Sequence, residues 1–249
     1  MKISICGKGG CGKSSITTLL AKEFAKKGHN VLVIDGDESN LSLHKLLGMD
    51  LPKDFIEYLG GRKEFMKKLR EKMDGKEVEL FEGEISIDSL PKEYLVEKDN
   101  IKLLAIGKIH DFGEGCACPM GALLREFLKS LKLKDKEVVI VDTEAGIEHF
   151  GRGVEGGCDV IIAIIDPTYE SIRLSKKIEE IGEKLGKKVY FIVNKVDDET
   201  KDLILENVNK DKVIAVIPNN KEIMKCGLMG EELNAELSEI KDVVEILTK

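Results

Sequence analysis

The sequence predicts an α/β fold with a mostly parallel sheet and helices on both faces. Three observations point there. Short Val- and Ile-rich runs recur at 2–6, 31–35, 102–106, 138–142, 160–165, 189–193 and 213–217. They do not alternate cleanly between apolar and polar residues, which marks strands covered on both faces. Helix-like segments lie between most of them, the order that builds a parallel sheet. A glycine-rich loop also joins the first strand to the first helix.

The elements follow in order. The run at 2–6 enters the glycine-rich loop, and a helix over 14–27 stops at Gly28, a residue suited to ending helices. The run at 31–35 ends in Asp35-Gly36-Asp37. The stretch 52–100 breaks the rhythm: it is charged, less periodic, and holds Gly60-Gly61, Gly75 and Pro91. It reads as a helical and hairpin insertion between two core strands, inside one domain spanning 1–249. A helix over 119–131 has Pro119 at its start and Leu123, Leu124, Phe127, Leu128 and Leu131 at helical spacing. Further helices are expected over 169–185, ending before Gly186, and over 231–247 at the close of the chain.

Bulk properties narrow the function. With 249 residues and 42% apolar content, the chain supports a large core. It has no run of eighteen apolar residues, so no membrane span is expected. The first strand runs straight into a motif with no export leader, which implies a cytoplasmic protein. The net charge of −7 argues against nucleic acid or an anionic membrane as partner, since both attract positive surfaces. Six cysteines in such a chain do not suggest a disulfide framework. Cys6 and Cys158, at the ends of apolar segments, read as small buried residues.

Gly7-Lys8-Gly9-Gly10-Cys11-Gly12-Lys13-Ser14 matches GxxxxGK[ST] in full, with a strand before it and a helix after it. Glycines let several amides converge on one phosphate, and the helix N-terminus adds partial positive charge. Gly9, Gly10, Cys11, Gly12, Lys13, Ser14 and Ser15 are therefore the expected nucleotide contacts. Lys13 would neutralise the β- and γ-phosphates, and the Ser14 hydroxyl would bind Mg²⁺. Together these make the chain a P-loop NTPase by expectation. Acids end two further strands, at Asp35 and Asp37 and at Asp142, where ligands bind in such sheets. Asp35 reads as a structural acid. Asn194-Lys195-Val196-Asp197 looks like the base-reading NKxD pattern; Asp197 either selects guanine or opens the next helix.

A second lysine early in the loop, Lys8, resembles the deviant Walker A class: the partitioning, division-site and nitrogenase-reductase-like ATPases. The resemblance implies that Lys8 reaches a partner subunit's nucleotide. It implies that Asp37 orients the attacking water, that Asp142 holds Mg²⁺ through water, and that the Gly146 amide senses the γ-phosphate. It also implies that Asn194 contacts adenine, and that Pro218-Asn219 belongs to the loop flanking adenine. On this basis ATP is the expected nucleotide.

Gly115-Cys116-Ala117-Cys118-Pro119 opens a predicted helix, where thiolates are stabilised. Two soft ligands one residue apart can grip a metal ion but do not fill a tetrahedral site, which a symmetric dimer would complete. A redox pair or two ordinary cysteines would also explain the pattern. With Asp142-Thr143-Glu144-Ala145-Gly146-Ile147-Glu148-His149, the chain resembles the CooC-type ATPases that help insert nickel into carbon monoxide dehydrogenase. The resemblance covers nearly the whole length. It implies that Cys116 and Cys118 bind Ni²⁺ or Zn²⁺ between two subunits of a homodimer, with ATP or ADP state coupled to dimer formation. A nickel enzyme would be the client. Two other readings stand beside it. A positioning or partitioning ATPase needs a basic surface or tail, and the last nineteen residues, 231–249, are acidic on balance. A nitrogenase-reductase-like electron donor needs a second cysteine soon after 142, and none precedes Cys158.

Overall fold

Leu32 and Ile34 face one apolar cluster while Val31 and Val33 face another, and Val138–Val141 divide in the same alternating way. This two-sided burial is why the runs carry no polar alternation. The structure, a computed structural model, describes residues 1–78, 80–81, 83–108, 118–146, 150 and 153–249, with the side chain of residue 118 outside that description.

Eight strands form one sheet: β1 (Lys2–Gly7), β2 (Asn30–Asp35), β3 (Leu95–Lys98), β4 (Ile101–Ala105), β5 (Glu137–Asp142), β6 (Val160–Ile165), β7 (Lys188–Val196) and β8 (Val213–Pro218). Their order is β3-β4-β2-β5-β1-β6-β7-β8, and every pair is parallel except β3 with β4. The helices with described bounds are α1 (Lys13–Lys26), α2 (Leu43–Leu46), α3 (Gly61–Met73), α4 (Cys118–Ser130), α5 (Tyr169–Lys184), α6 (Asp198–Asn207), α7 (Lys221–Met229) and α8 (Ser238–Thr248). One face packs Leu20 and Phe24 of α1 and Val243 and Val244 of α8 on Ile3, Ile5 and Val31. The other packs Leu123 and Phe127 of α4 on Leu32 and Val139, and Ile178 of α5 on Ile161 and Phe191. Fully burying a side chain of this size contributes roughly 1.5–3 kcal/mol. No helix among the described residues is long and apolar enough to cross a membrane.

Among its described residues, the stretch 52–100 supplies α3, three short 3₁₀ turns and β3, which forms a hairpin with β4 whose turn residues Asp99 and Asn100 both have positive φ. Such residues make the tight turn that matches strand twist. Phe55, 1% exposed, anchors the stretch: its ring meets those of Tyr58, Phe81, Tyr94 and Phe127.

One expected helix is corrected. Residues 231–237 are not helical. Gly230, with φ of 64°, ends α7, and helix resumes only at Ser238. Tertiary contacts hold the connecting chain outside any helix. Leu233 is buried, its amide donates to the Leu46 carbonyl, and Glu232 bridges Lys22 and Lys98.

Candidate functional site

The topology brings three strand ends together. β1 lies between β5 and β6, so the chain leaves it where the strand order reverses, the usual ligand crevice of such sheets. Asp142 pairs in register with Ile5 on one side and Asp35 on the other. The phosphate loop, the 35–37 turn and the end of β5 are therefore neighbours.

The loop is shaped by close approach. Gly12 has φ of 104°, and a Cβ there would lie 2.4 Å from Asn194 Nδ2. Gly7, with φ of 147°, would put a Cβ 2.6 Å from the Ile164 carbonyl oxygen. Gly9 and Gly10 form the exposed crest, Ser15 is half-buried, and Cys11 is buried beneath the loop. Burial pushes the Cys11 thiol up to about 11, so it stays neutral. Lys13 folds back over the loop, its ammonium 3.4 Å from the Gly7 carbonyl and 3.3 Å from that of Lys8.

Ser14 Oγ donates to Asp142 Oδ2 at 2.6 Å and accepts from Asn40 Nδ2 at 2.7 Å. Burial pushes Asp142 up to about 7, and the neighbouring Asp35 adds to the rise against the pull of Ser14 and Lys13. Asp142 Oδ1 is buried with no hydrogen-bond partner among the described residues. This donor set fits Mg²⁺: a hydroxyl and a carboxylate in contact, all oxygen, with one acceptor to spare. Asp37 is half-buried, and its Oδ1 accepts from the Ser39 amide at 3.0 Å and the Ser39 hydroxyl at 2.7 Å. Asp35 has the structural role expected of it, 2.7 Å from Lys108.

Several expected contacts point elsewhere. Lys8 pairs within its own chain, 3.2 Å from Asp166 Oδ2. The Gly146 amide donates to the Gly7 carbonyl at 3.1 Å, so it is committed to the loop. Asn194 Nδ2 donates to the Cys11 carbonyl at 2.8 Å and Lys195 Nζ to that of Gly10 at 2.7 Å. Both buttress the loop, because their donors satisfy carbonyls that the tight bend leaves unpaired. Asp197 caps α6, accepting from the Thr200 amide at 2.8 Å. That favours the helix-opening reading over base selection. Pro218 ends β8, and the Asn219 amide donates to the Val196 carbonyl, which ties the following turn to β7. Cys6 and Cys158 are fully buried, as their apolar surroundings implied. Cys116 lies outside the described residues, as does the side chain of Cys118, the first residue of α4. The described residues hold no group of three or more His, Cys, Asp or Glu side chains able to bind a metal.

Sequence reasoning missed Asn40, Lys108 and Asp166. Asp166 directly follows β6, so the rule that found Asp142 would have found it. Nothing local marks Asn40 or Lys108, which only the fold brings to the strand ends.

Comparison with known proteins follows the same lines. The CobQ/CobB/MinD/ParA nucleotide-binding-domain family matches residues 3–233. An uncharacterized ATP-binding protein of Methanocaldococcus jannaschii is 34% identical over 250 residues, covering 99% of this chain and 96% of its own. The carbon monoxide dehydrogenase accessory protein CooC of Rhodospirillum rubrum is 32% identical over 235 residues, covering 92% and 88%. The septum site-determining protein MinD of Pyrococcus horikoshii, solved with Mg-ADP, superposes with a TM-score of 0.69 at 20% identity, covering 98% of this chain and 95% of that one.

Proposed function

The chain belongs to the CobQ/CobB/MinD/ParA nucleotide-binding family and is a P-loop ATPase, and from that premise we propose that it is a dimeric metal-insertion factor. It acts as one ATPase domain, with 52–100 an insertion on it. It loads Ni²⁺ or Zn²⁺ through Cys116 and Cys118 and delivers it to a nickel enzyme of the carbon monoxide dehydrogenase type. One observation carries the metal half: two cysteines stand one residue apart in the sequence, and the second, Cys118, is the first residue of α4. They do so in a chain 32% identical, along 92% of its length, to a carbon monoxide dehydrogenase accessory protein.

In this reading each residue has a task. The amides of Gly9 to Ser15 cradle the phosphates, and Lys13 swings off the Gly7 and Lys8 carbonyls to neutralise them. Ser14, and Asp142 through water, would hold Mg²⁺, which would supply further neutralisation of phosphate charge. Asp37 turns a water toward the γ-phosphorus, and ATP and water become ADP and phosphate. Asn194, Lys195, Pro218 and Asn219 wall the base side. Lys8 leaves Asp166 to touch the partner subunit's phosphates. A cavity of about 910 Å³ lined by Lys8, Gly9, Gly146, Tyr169 and Arg173 supports this, since it opens beside Lys8 where a second subunit would close. Closure brings two Cys-x-Cys pairs together, four thiolates around one ion, a set that suits Zn²⁺.

Light scattering of the reduced, anaerobic protein tests this, with and without Zn²⁺ or Ni²⁺ and with ADP or ATP, with bound metal quantified. A dimer holding one metal per two chains, lost in Cys118→Ala, is the expected result. A dimer that forms with ATP alone and binds no metal would sink the metal-insertion reading while keeping the ATPase.

A further inference from the structure

Lys108 is a lysine whose side chain has no exposed surface. Its ammonium meets three oxygens: Asp35 Oδ2 at 2.7 Å, the Asp37 carbonyl at 2.6 Å and the Asn40 carbonyl at 2.5 Å. An ammonium has three protons, and here each has an acceptor. Burying such a charge is tolerated only where a counter-charge and further hydrogen bonds replace water, so the arrangement is specific to this geometry. Two of the three acceptors are main-chain carbonyls that bracket residues 37–40. The Lys108 carbonyl accepts from Arg62 Nη2 at 2.9 Å, and Arg62 also meets the buried carboxylate of Glu38 at 3.3 Å. The loop is thus tied to residue 108 at Asp37, Glu38 and Asn40. Its side chains reach the phosphate site, since Asn40 Nδ2 donates to Ser14 Oγ.

We infer that Lys108 is a positioning residue for ATP hydrolysis: its buried ammonium sets the shape of the 37–40 loop, and so places Asp37 at the attacking water and Asn40 against Ser14. The Asp37 half rests on the role proposed for that residue above. ADP is held by the phosphate loop, so losing Lys108 affects the chemical step more than nucleotide binding.

The test is Lys108→Met in the full chain, with steady-state ATP hydrolysis and calorimetric Mg·ADP binding. A kcat lower by about tenfold or more, with Mg·ADP affinity within about threefold of wild type, is the expected split. An unchanged kcat, or kcat and affinity falling in step, would overturn the inference. Because Lys108→Met strands the Asp35 carboxylate in the interior, the double variant Asp35→Asn/Lys108→Met is run beside it. A folded double variant with the same low kcat supports positioning; one restored to wild-type kcat refutes it. Asp37→Asn separates the two readings. If it hydrolyses ATP at the wild-type rate, the role of Asp37 falls, and a slow Lys108→Met then supports positioning through Asn40 and Ser14.

Discussion

Glu155 sits at the start of a 3₁₀ turn that packs against α4, and it is fully buried. Burial pushes its carboxyl up to about 7, from an ordinary value of 4.5. An acid raised in this way holds its proton more tightly folded than unfolded. Its contribution to stability is fully present below 4.5 and is lost as pH rises through about 7. A shift of that size corresponds to an effect on the order of 3 kcal/mol. Glu155→Gln removes the titration and keeps the shape. Denaturant melts of wild type and variant at pH 5 and pH 8 are therefore expected to differ little at the lower pH and by more at the higher, where the variant is the more stable. Parallel pH profiles for the two would show that Glu155 does not titrate in this range. Asp35 and Asp142 are raised in the same direction, so only the difference between the two profiles isolates Glu155.

Local chemistry and packing share control at the scale of elements. α6 begins at Asp197 because a capping box closes there: Asp197 accepts from the Thr200 amide, and the Thr200 hydroxyl accepts from the Asp197 amide at 3.0 Å. Hydrogen bonds from Thr200 also hold the exposed Asp197 carboxyl below the usual range. An N-cap of this kind contributes about 1 kcal/mol. Asp197→Ala is expected to lower stability by about that amount in thermal melts, with the relative affinity for ATP and GTP unchanged in competition binding. A variant that loses base discrimination would restore Asp197 as a base reader. β3 and the segment 231–237 follow the other rule. Neither has a strong periodic pattern. β3 joins the sheet through a two-residue turn, while 231–237 is tied down by Leu233 packing and the Glu232 ion pairs.

At the scale of the whole molecule, the Lys8–Asp166 pair would restrain the single-chain state of the proposed dimeric switch. Burial raises Asp166, but hydrogen bonds from Ser171, Thr168 and Lys8 outweigh it and keep the carboxylate ionised below its ordinary value. Ser171 and Thr168 donate at 2.5 and 2.8 Å, which holds the acid in place beside Lys8. The pair is partly exposed, so its worth is about 1 kcal/mol or less. If Lys8 must leave it to reach a second subunit, Asp166→Asn lowers that barrier. Each subunit of a dimer gives up one such bridge, so ATP-dependent dimerisation of Asp166→Asn is then expected to tighten by up to about thirtyfold in sedimentation. Unchanged or weaker association would make the bridge structural.

From the sequence alone came the fold class, the strand runs and the phosphate loop. Each rests on a short-range rule: two-sided burial removes polar alternation, and GxxxxGK[ST] is contiguous. Acids at the ends of strands were legible for the same reason, since a strand end is read from the chain. Tertiary structure decided how those pieces are used. Asn194 and Lys195 buttress the loop because β7 ends beside it, 183 residues from Cys11 along the chain. Lys108 reaches the 37–40 loop because β4 pairs in parallel with β2 and delivers both chain ends to one edge. Asp166 meets Lys8 because β6 lies against β1. Partners this far apart in sequence leave no periodic or contiguous signal, and only the folded sheet brings their charges into contact.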